Sequence, residues 1–137
     1  MLAMRPRGIF ETVLYAEDLA SAERFYRDAV GLDVLERGDL CVAFRCGSGV
    51  LLVFDPRRSG VPGRDVPSHG TSGAGHIAFA AKPQDLEAWR GQLRQAAIPI
   101  EREVDWPEGG RSIYFRDPAG NSVELAPPSI WGGNWRF

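Results

Sequence analysis

Lysine is almost missing from this chain: 15 of its 16 basic residues are arginine, and Lys82 is the one exception. The arginines are scattered among 18 acidic residues and the formal net charge is −2. No basic stripe of the kind that follows a phosphate backbone results, so nucleic-acid binding is not expected. Cysteine is scarce as well. Cys41 and Cys46 fall on one expected strand, on opposite faces and about 16 Å apart, too far for a bridge. They read as core fillers whose free thiols suit a reducing cytoplasm. Long apolar runs are absent: Gly49 to Phe54 is the longest, far short of the roughly 20 residues a bilayer span needs. Arg5 and Arg7 are followed by no apolar stretch of the secretory type. The expectation is a cytoplasmic protein with neither membrane nor nucleic acid as partner.

What is present suits one compact domain. The chain has 137 residues, 44% of them apolar and 25% charged, long enough to bury about two-thirds of its unfolded surface. After a loose arm over 1–7, the apolar and β-branched run Gly8 to Ala16 predicts a strand interrupted by one charge, Glu11. Asp18 offers an N-cap to a helix whose apolar stripe is Leu19, Ala22, Phe25, Tyr26 and Ala29, with Glu23, Arg24, Arg27 and Asp28 outside and Gly31 as its stop. Strands over 34–37, 41–46 and 49–55 follow, joined by turns at Gly38-Asp39 and Gly47-Ser48. Residues 56–74, rich in Pro and Gly, read as a linker.

The second half repeats this order. A strand over 75–81, a helix opened by Pro83 with Leu86, Trp89, Leu93 and Ala96 on one face, and strands over 100–104, 111–116 and 121–126 make a second β-α-β-β-β unit. Aligned on their first strands, the copies set Glu11 opposite His76; at their last strands Leu52 falls opposite Glu124. The fold class is therefore α+β, two βαβββ modules (8–55 and 75–126) forming a cup-shaped mixed sheet with helices outside. Glu11, Leu52, His76 and Glu124 lie on its floor.

The last two strands flank the turn Asp117-Pro118-Ala119-Gly120-Asn121, in which proline presets one φ and Gly120 and Asn121 tolerate a positive one. Alternation on the returning strand sends Glu124 to the face opposite Val123 and Leu125, together with Ser122. An acid there is either a solvated charge or a ligand inside a cavity. Ala78 and Ser122 are small enough to leave room above it, and Leu52 and Phe54 form an apolar wall. His69, in the linker, is a candidate lid residue. The tail over 127–137 carries Trp131, Trp135 and Phe137, an aromatic cluster suited to docking on its own body or on a second copy.

Asp18-Leu19, Phe25-Tyr26 and Gly31-Leu32, then Gly75-His76-Ile77-Ala78-Phe79, then Phe115 through Leu125 form an ordered set. It resembles the glyoxalase/bleomycin-resistance/extradiol-dioxygenase family, the vicinal oxygen chelate superfamily, over residues 8–126. The resemblance implies paired modules around one divalent metal ion, with Glu11, His76 and Glu124 as its ligands and Leu52 where four-ligand relatives have a carboxylate. Such an oxygen-rich set suits Mn, Fe, Ni, Zn or Mg and leaves positions for vicinal substrate oxygens. Either Glu11 or Glu124 then serves as the proton-transferring base. The function expected is a metal-dependent glyoxalase-like lyase or isomerase acting on a small molecule, in a homodimer. The alternatives are a ring-cleaving Fe(II) dioxygenase, a metal-free protein that sequesters an aromatic antibiotic, and a transferase adding a thiol to an epoxide.

Overall fold

The computed structural model describes residues 4–137. Of the arm expected over 1–7, residues 1–3 lie outside the described residues, and 4–10 are exposed and without regular structure. The first module runs β1 (Glu11–Tyr15), α1 (Leu19–Arg24), β2 (Asp33–Arg37), β3 (Cys41–Cys46) and β4 (Gly49–Phe54). The second runs β5 (His76–Ala80), a 3-10 turn (Pro83–Asp85) leading into α3 (Leu86–Gln95), β6 (Arg102–Asp105), β7 (Arg111–Arg116) and β8 (Ser122–Ala126). A short helix, α2 (Pro56–Ser59), stands between them.

Each module closes its own four-stranded mixed sheet, in the orders β1-β4-β3-β2 and β5-β8-β7-β6. First and last strands pair in parallel; the remaining pairs are antiparallel. The single floor expected from the repeat is therefore two floors, one per sheet, because backbone pairing is satisfied within each module. The registers match across the repeat. Val13 pairs with Leu52 and Ala78 pairs with Glu124, so Leu52 does occupy the position of Glu124.

Period-2 alternation explains why each sheet has one dry face. Leu14, Phe44, Leu51 and Val53 from sheet one and Ile113, Phe115, Val123 and Leu125 from sheet two share a single buried core with Tyr26 and Leu93. The Phe25 and Phe115 rings, 5.9 Å apart, join the modules there. Asp18 caps α1 as expected, its carboxylate accepting from the Ser21 amide at 3.0 Å. The helix then widens into a π-turn over Phe25–Ala29, which keeps Phe25, Tyr26 and Ala29 buried together. Gly31, at φ +89°, reverses the chain.

The stretch expected to be a plain linker contains α2. Asp55 caps it by accepting from the Arg57 amide at 3.0 Å, and Pro56 fills its first turn. Deprotonated Asp55 is also bonded by the Arg57 guanidinium, which holds its carboxyl below the usual carboxylate range.

The turn after β7 is a hub that joins three parts of the chain. The Asp117 carboxylate accepts from the backbone amides of Ala119 and Asn121 and from the Tyr26 hydroxyl. The Asn121 side chain in turn accepts from the Gly75 amide at 2.7 Å and donates to the Tyr15 carbonyl at 3.2 Å. The entry to β5 and the end of β1 are thus tied to the turn that precedes β8. Among the described residues no helix is long and apolar enough to cross a membrane.

Candidate metal site

His76 opens β5 and Glu124 lies in the middle of β8, both on the face of sheet two turned away from the core. That face is open over His76 but closed over Glu124, which is 5% exposed. The Glu124 carboxylate sits beneath the imidazole, with Nε2 of His76 3.3 Å from Oε1. The other ring nitrogen, Nδ1, is 3.0 Å from the Ser122 carbonyl oxygen. A carbonyl only accepts, so the proton belongs on Nδ1. With that tautomer the Nε2 lone pair faces a carboxylate oxygen. Two electron-rich atoms facing one another require a cation or a proton between them, and 3.3 Å is long for an N–H···O bond. This donor arrangement fits a divalent metal ion. The fixed tautomer is also what a metal-binding histidine needs.

Tyr114, the cross-strand partner of Glu124, stacks on His76 with ring centroids 6.4 Å apart and planes at 22°. Burial, followed by hydrogen bonding to Glu124 and then the Glu124 charge, pushes the Tyr114 hydroxyl above its ordinary pKa. Beyond Tyr114 and Ser122 a cleft of about 430 Å³ extends between Arg102 and Arg116. Ala78 is exposed beside Glu124 and leaves the approach clear, as its size suggests.

Glu11 opens β1 at the position matching His76, but on the other sheet. It is exposed, as is the neighbouring face residue Val13, and it makes no side-chain hydrogen bond or ion pair among the described residues. One chain thus brings His76 and Glu124 together and leaves Glu11 apart. Among the described residues no three His, Cys, Asp or Glu side chains converge.

Leu52 and Phe54 line the open face of sheet one together with Val13 and Tyr15. His69 lies over that face. Its Nδ1 is 2.7 Å from the Tyr15 hydroxyl, and its ring stands edge-on to Phe54 at 4.6 Å. The buried Ser59 of α2 holds the His69 backbone through two bonds, Ser59 Oγ to the carbonyl at 2.7 Å and the His69 amide to the Ser59 carbonyl at 2.9 Å. Sequence reasoning placed His69 in the linker as a candidate lid residue without a partner; the aromatic pair Tyr15 and Phe54, on one face of sheet one, was the available signal. It missed Ser112 and Trp106 altogether. Ser112 Oγ is 2.6 Å from Glu124 Oε2, and the Trp106 indole nitrogen is 2.8 Å from Ser112 Oγ. Alternation from Tyr114 would have placed Ser112 on the site face.

Comparison with known proteins bears on the family and the fold. A family model described as the Glyoxalase/Bleomycin resistance protein/Dioxygenase superfamily matches residues 8–125. The chain is 42% identical to a lactoylglutathione lyase from Agrobacterium tumefaciens whose crystal structure superposes with a TM-score of 0.89, covering 95% of this chain and all of that one. It is 30% identical to a glutathione transferase FosA of Serratia marcescens, over 85% of this chain and 78% of that protein. To a metallothiol transferase FosB of Staphylococcus epidermidis it is 28% identical, over 90% of this chain and 86% of that protein.

Proposed function

The chain belongs to the glyoxalase/bleomycin-resistance/dioxygenase superfamily, and from that membership we propose that it is a divalent-metal-dependent lyase or isomerase of glyoxalase type. Its substrate would be a small thiol adduct with two neighbouring oxygens. The observation that carries this reading is the His76 Nε2 lone pair set 3.3 Å from Glu124 Oε1, with Nδ1 committed to the Ser122 carbonyl. A bound ion would supply Lewis acidity toward a substrate oxygen and acidify the adjacent C–H.

The residues have separate tasks. His76 and Glu124 hold the cation from sheet two. Glu11 of a second copy completes the set, the open face of that copy's sheet one lying over sheet two of the first. Such a homodimer would also cover Ile9 and Phe10, which are 84% and 69% exposed. Without a side-chain partner among the described residues, Glu11 is the carboxylate able to accept the substrate proton and return it to the neighbouring carbon. Leu52, Phe54, Tyr15 and His69 would exclude water and grip the body of the substrate.

The thiol follows from the relatives, a lactoylglutathione lyase, a glutathione transferase and a metallothiol transferase. The two transferases favour one second reading, thiol addition to a small electrophile at the same pair. A 2-oxoaldehyde mixed with glutathione, and separately an epoxide mixed with glutathione, each with metal-loaded protein, distinguish the two. Thioester formation from the first supports the lyase; a thioether from the second supports the transferase. Wild-type protein that holds no divalent ion by elemental analysis after loading would overturn both.

A further inference from the structure

Taking His76 and Glu124 as a cation-binding pair, as above, one oxygen of Glu124 is still to be explained. Ser112 Oγ lies 2.6 Å from Oε2, and the Trp106 indole nitrogen lies 2.8 Å from Ser112 Oγ. An indole N–H only donates and a carboxylate only accepts. The Ser112 hydroxyl therefore receives the Trp106 proton contact and gives its own hydrogen to Glu124, so the chain runs in one direction. Ser112 is fully buried, and no water is needed to complete the line.

We propose that Trp106 and Ser112 are positioning residues that fix Glu124 as a one-oxygen ligand, with Oε2 committed to Ser112 and Oε1 presented to the cation beside His76. The loop that carries Trp106 is built to keep the indole in place. The Trp106 amide donates to the Gly110 carbonyl at 3.0 Å, and the Gly109 amide donates to the Trp106 carbonyl at 2.9 Å. Gly109 and Gly110 adopt φ of +94° and +89°, where a side chain is strained. A Cβ on Gly110 would stand 2.8 Å from Pro127 Cγ, so the loop is pressed against the residue that follows β8. The loop that carries the indole and the end of the strand that carries Glu124 thus meet at one end of the β7–β8 pair.

The test uses full-length protein stripped with a chelator and titrated with Mn²⁺ by calorimetry and with Co²⁺ by visible absorption. Two variants are compared with wild type: Ser112→Ala, which removes the donor to Glu124, and Trp106→Phe, which removes only the N–H. Ser112→Ala is expected to weaken Mn²⁺ binding by about 10- to 100-fold, and Trp106→Phe by a smaller factor of about 3 to 10. Both are expected to change the Co²⁺ absorption bands as Oε2 is released and the coordination changes. A merely structural role would lower the melting temperature and leave those bands alone. Wild-type affinity and bands in folded Trp106→Phe overturn the inference while leaving the site reading intact. Wild-type protein that binds neither ion overturns the site reading, and the inference with it.

Discussion

The Tyr26 hydroxyl donates to Asp117 Oδ2 at 2.8 Å across 91 residues of sequence, joining the first helix of one module to the last turn of the other. Tyr26 is fully buried; burial, then the Asp117 charge, raises its hydroxyl well above the usual range, so it remains a donor at any physiological pH. Tyr26→Phe keeps the ring and leaves a buried carboxylate short of one donor. We expect a loss of about 2 kcal/mol in stability, measured by urea denaturation, with metal binding unchanged. A variant as stable as wild type would show that Asn121 and the turn amides satisfy Asp117 alone.

A site shared between two copies, as proposed, can be tested by mixing. His76→Ala should abolish divalent-ion binding, and so should Glu11→Ala if the third ligand comes from a second copy. Combining the two inactive variants and allowing subunits to exchange generates heterodimers in which one of the two sites is intact. Metal content should return to about a quarter of the wild-type value at equal amounts, from random pairing of subunits. No recovery, or a monomer by light scattering at micromolar concentration, would rule out a site built between copies.

His69 offers a control on the other wall. Its contacts are with Tyr15, Phe54 and Ser59, all of the first module or α2, and none is with His76 or Glu124. His69→Ala should leave metal content unchanged and raise KM by about fivefold, the worth of one hydrogen bond near 1 kcal/mol. A fall in metal content would place His69 at the cation instead.

Acid should weaken the fold through Asp55. Its pKa is lowered from the ordinary 3.8, first by the Arg57 side-chain bond and then further by the Arg57 amide and charge, against the opposing effect of burial. A carboxyl whose folded pKa lies below its unfolded one contributes stability that is fully present above the unfolded value. That contribution is lost as the pH falls through 3.8 toward the lower folded value. Asp55→Asn should remove this component, so the difference in melting temperature between wild type and variant should narrow below about pH 4. A constant difference across that range would exclude the ionised carboxylate as its source.

Much of this arrangement was readable from residue order. The strand holding His76, the strand holding Glu124 and the correspondence of Leu52 with Glu124 followed from period-2 alternation and an internal repeat, both of which depend on local spacing alone. The Asp18 cap and the Gly31 stop were legible for the same reason. Where the reading fell short, the cause was contacts that residue spacing alone does not specify. Glu11 matches His76 in position, yet alignment of two copies does not say whether their sheets merge, and backbone pairing kept them separate. Asp55-Pro56 carried a helix-start signal that the surrounding glycines and prolines obscured. Trp106 looked like a loop residue because its contact with Ser112 rests on one indole hydrogen, and Asn121 looked like turn chemistry although its amide also binds Gly75 and Tyr15.

The Asn121 amide has one more consequence. By accepting from the Gly75 amide it sets the start of β5, one residue before His76, against the turn that begins β8. The spacing of His76 and Glu124 is therefore governed inside the second module, whereas the residues over the opposite wall ride on the segment between the modules. Insertions or exchanges between Gly60 and Ser68 would remodel the face over Tyr15 and Phe54 without disturbing the pair His76 and Glu124. One surface loop can thus be altered while the geometry of His76 and Glu124 stays fixed.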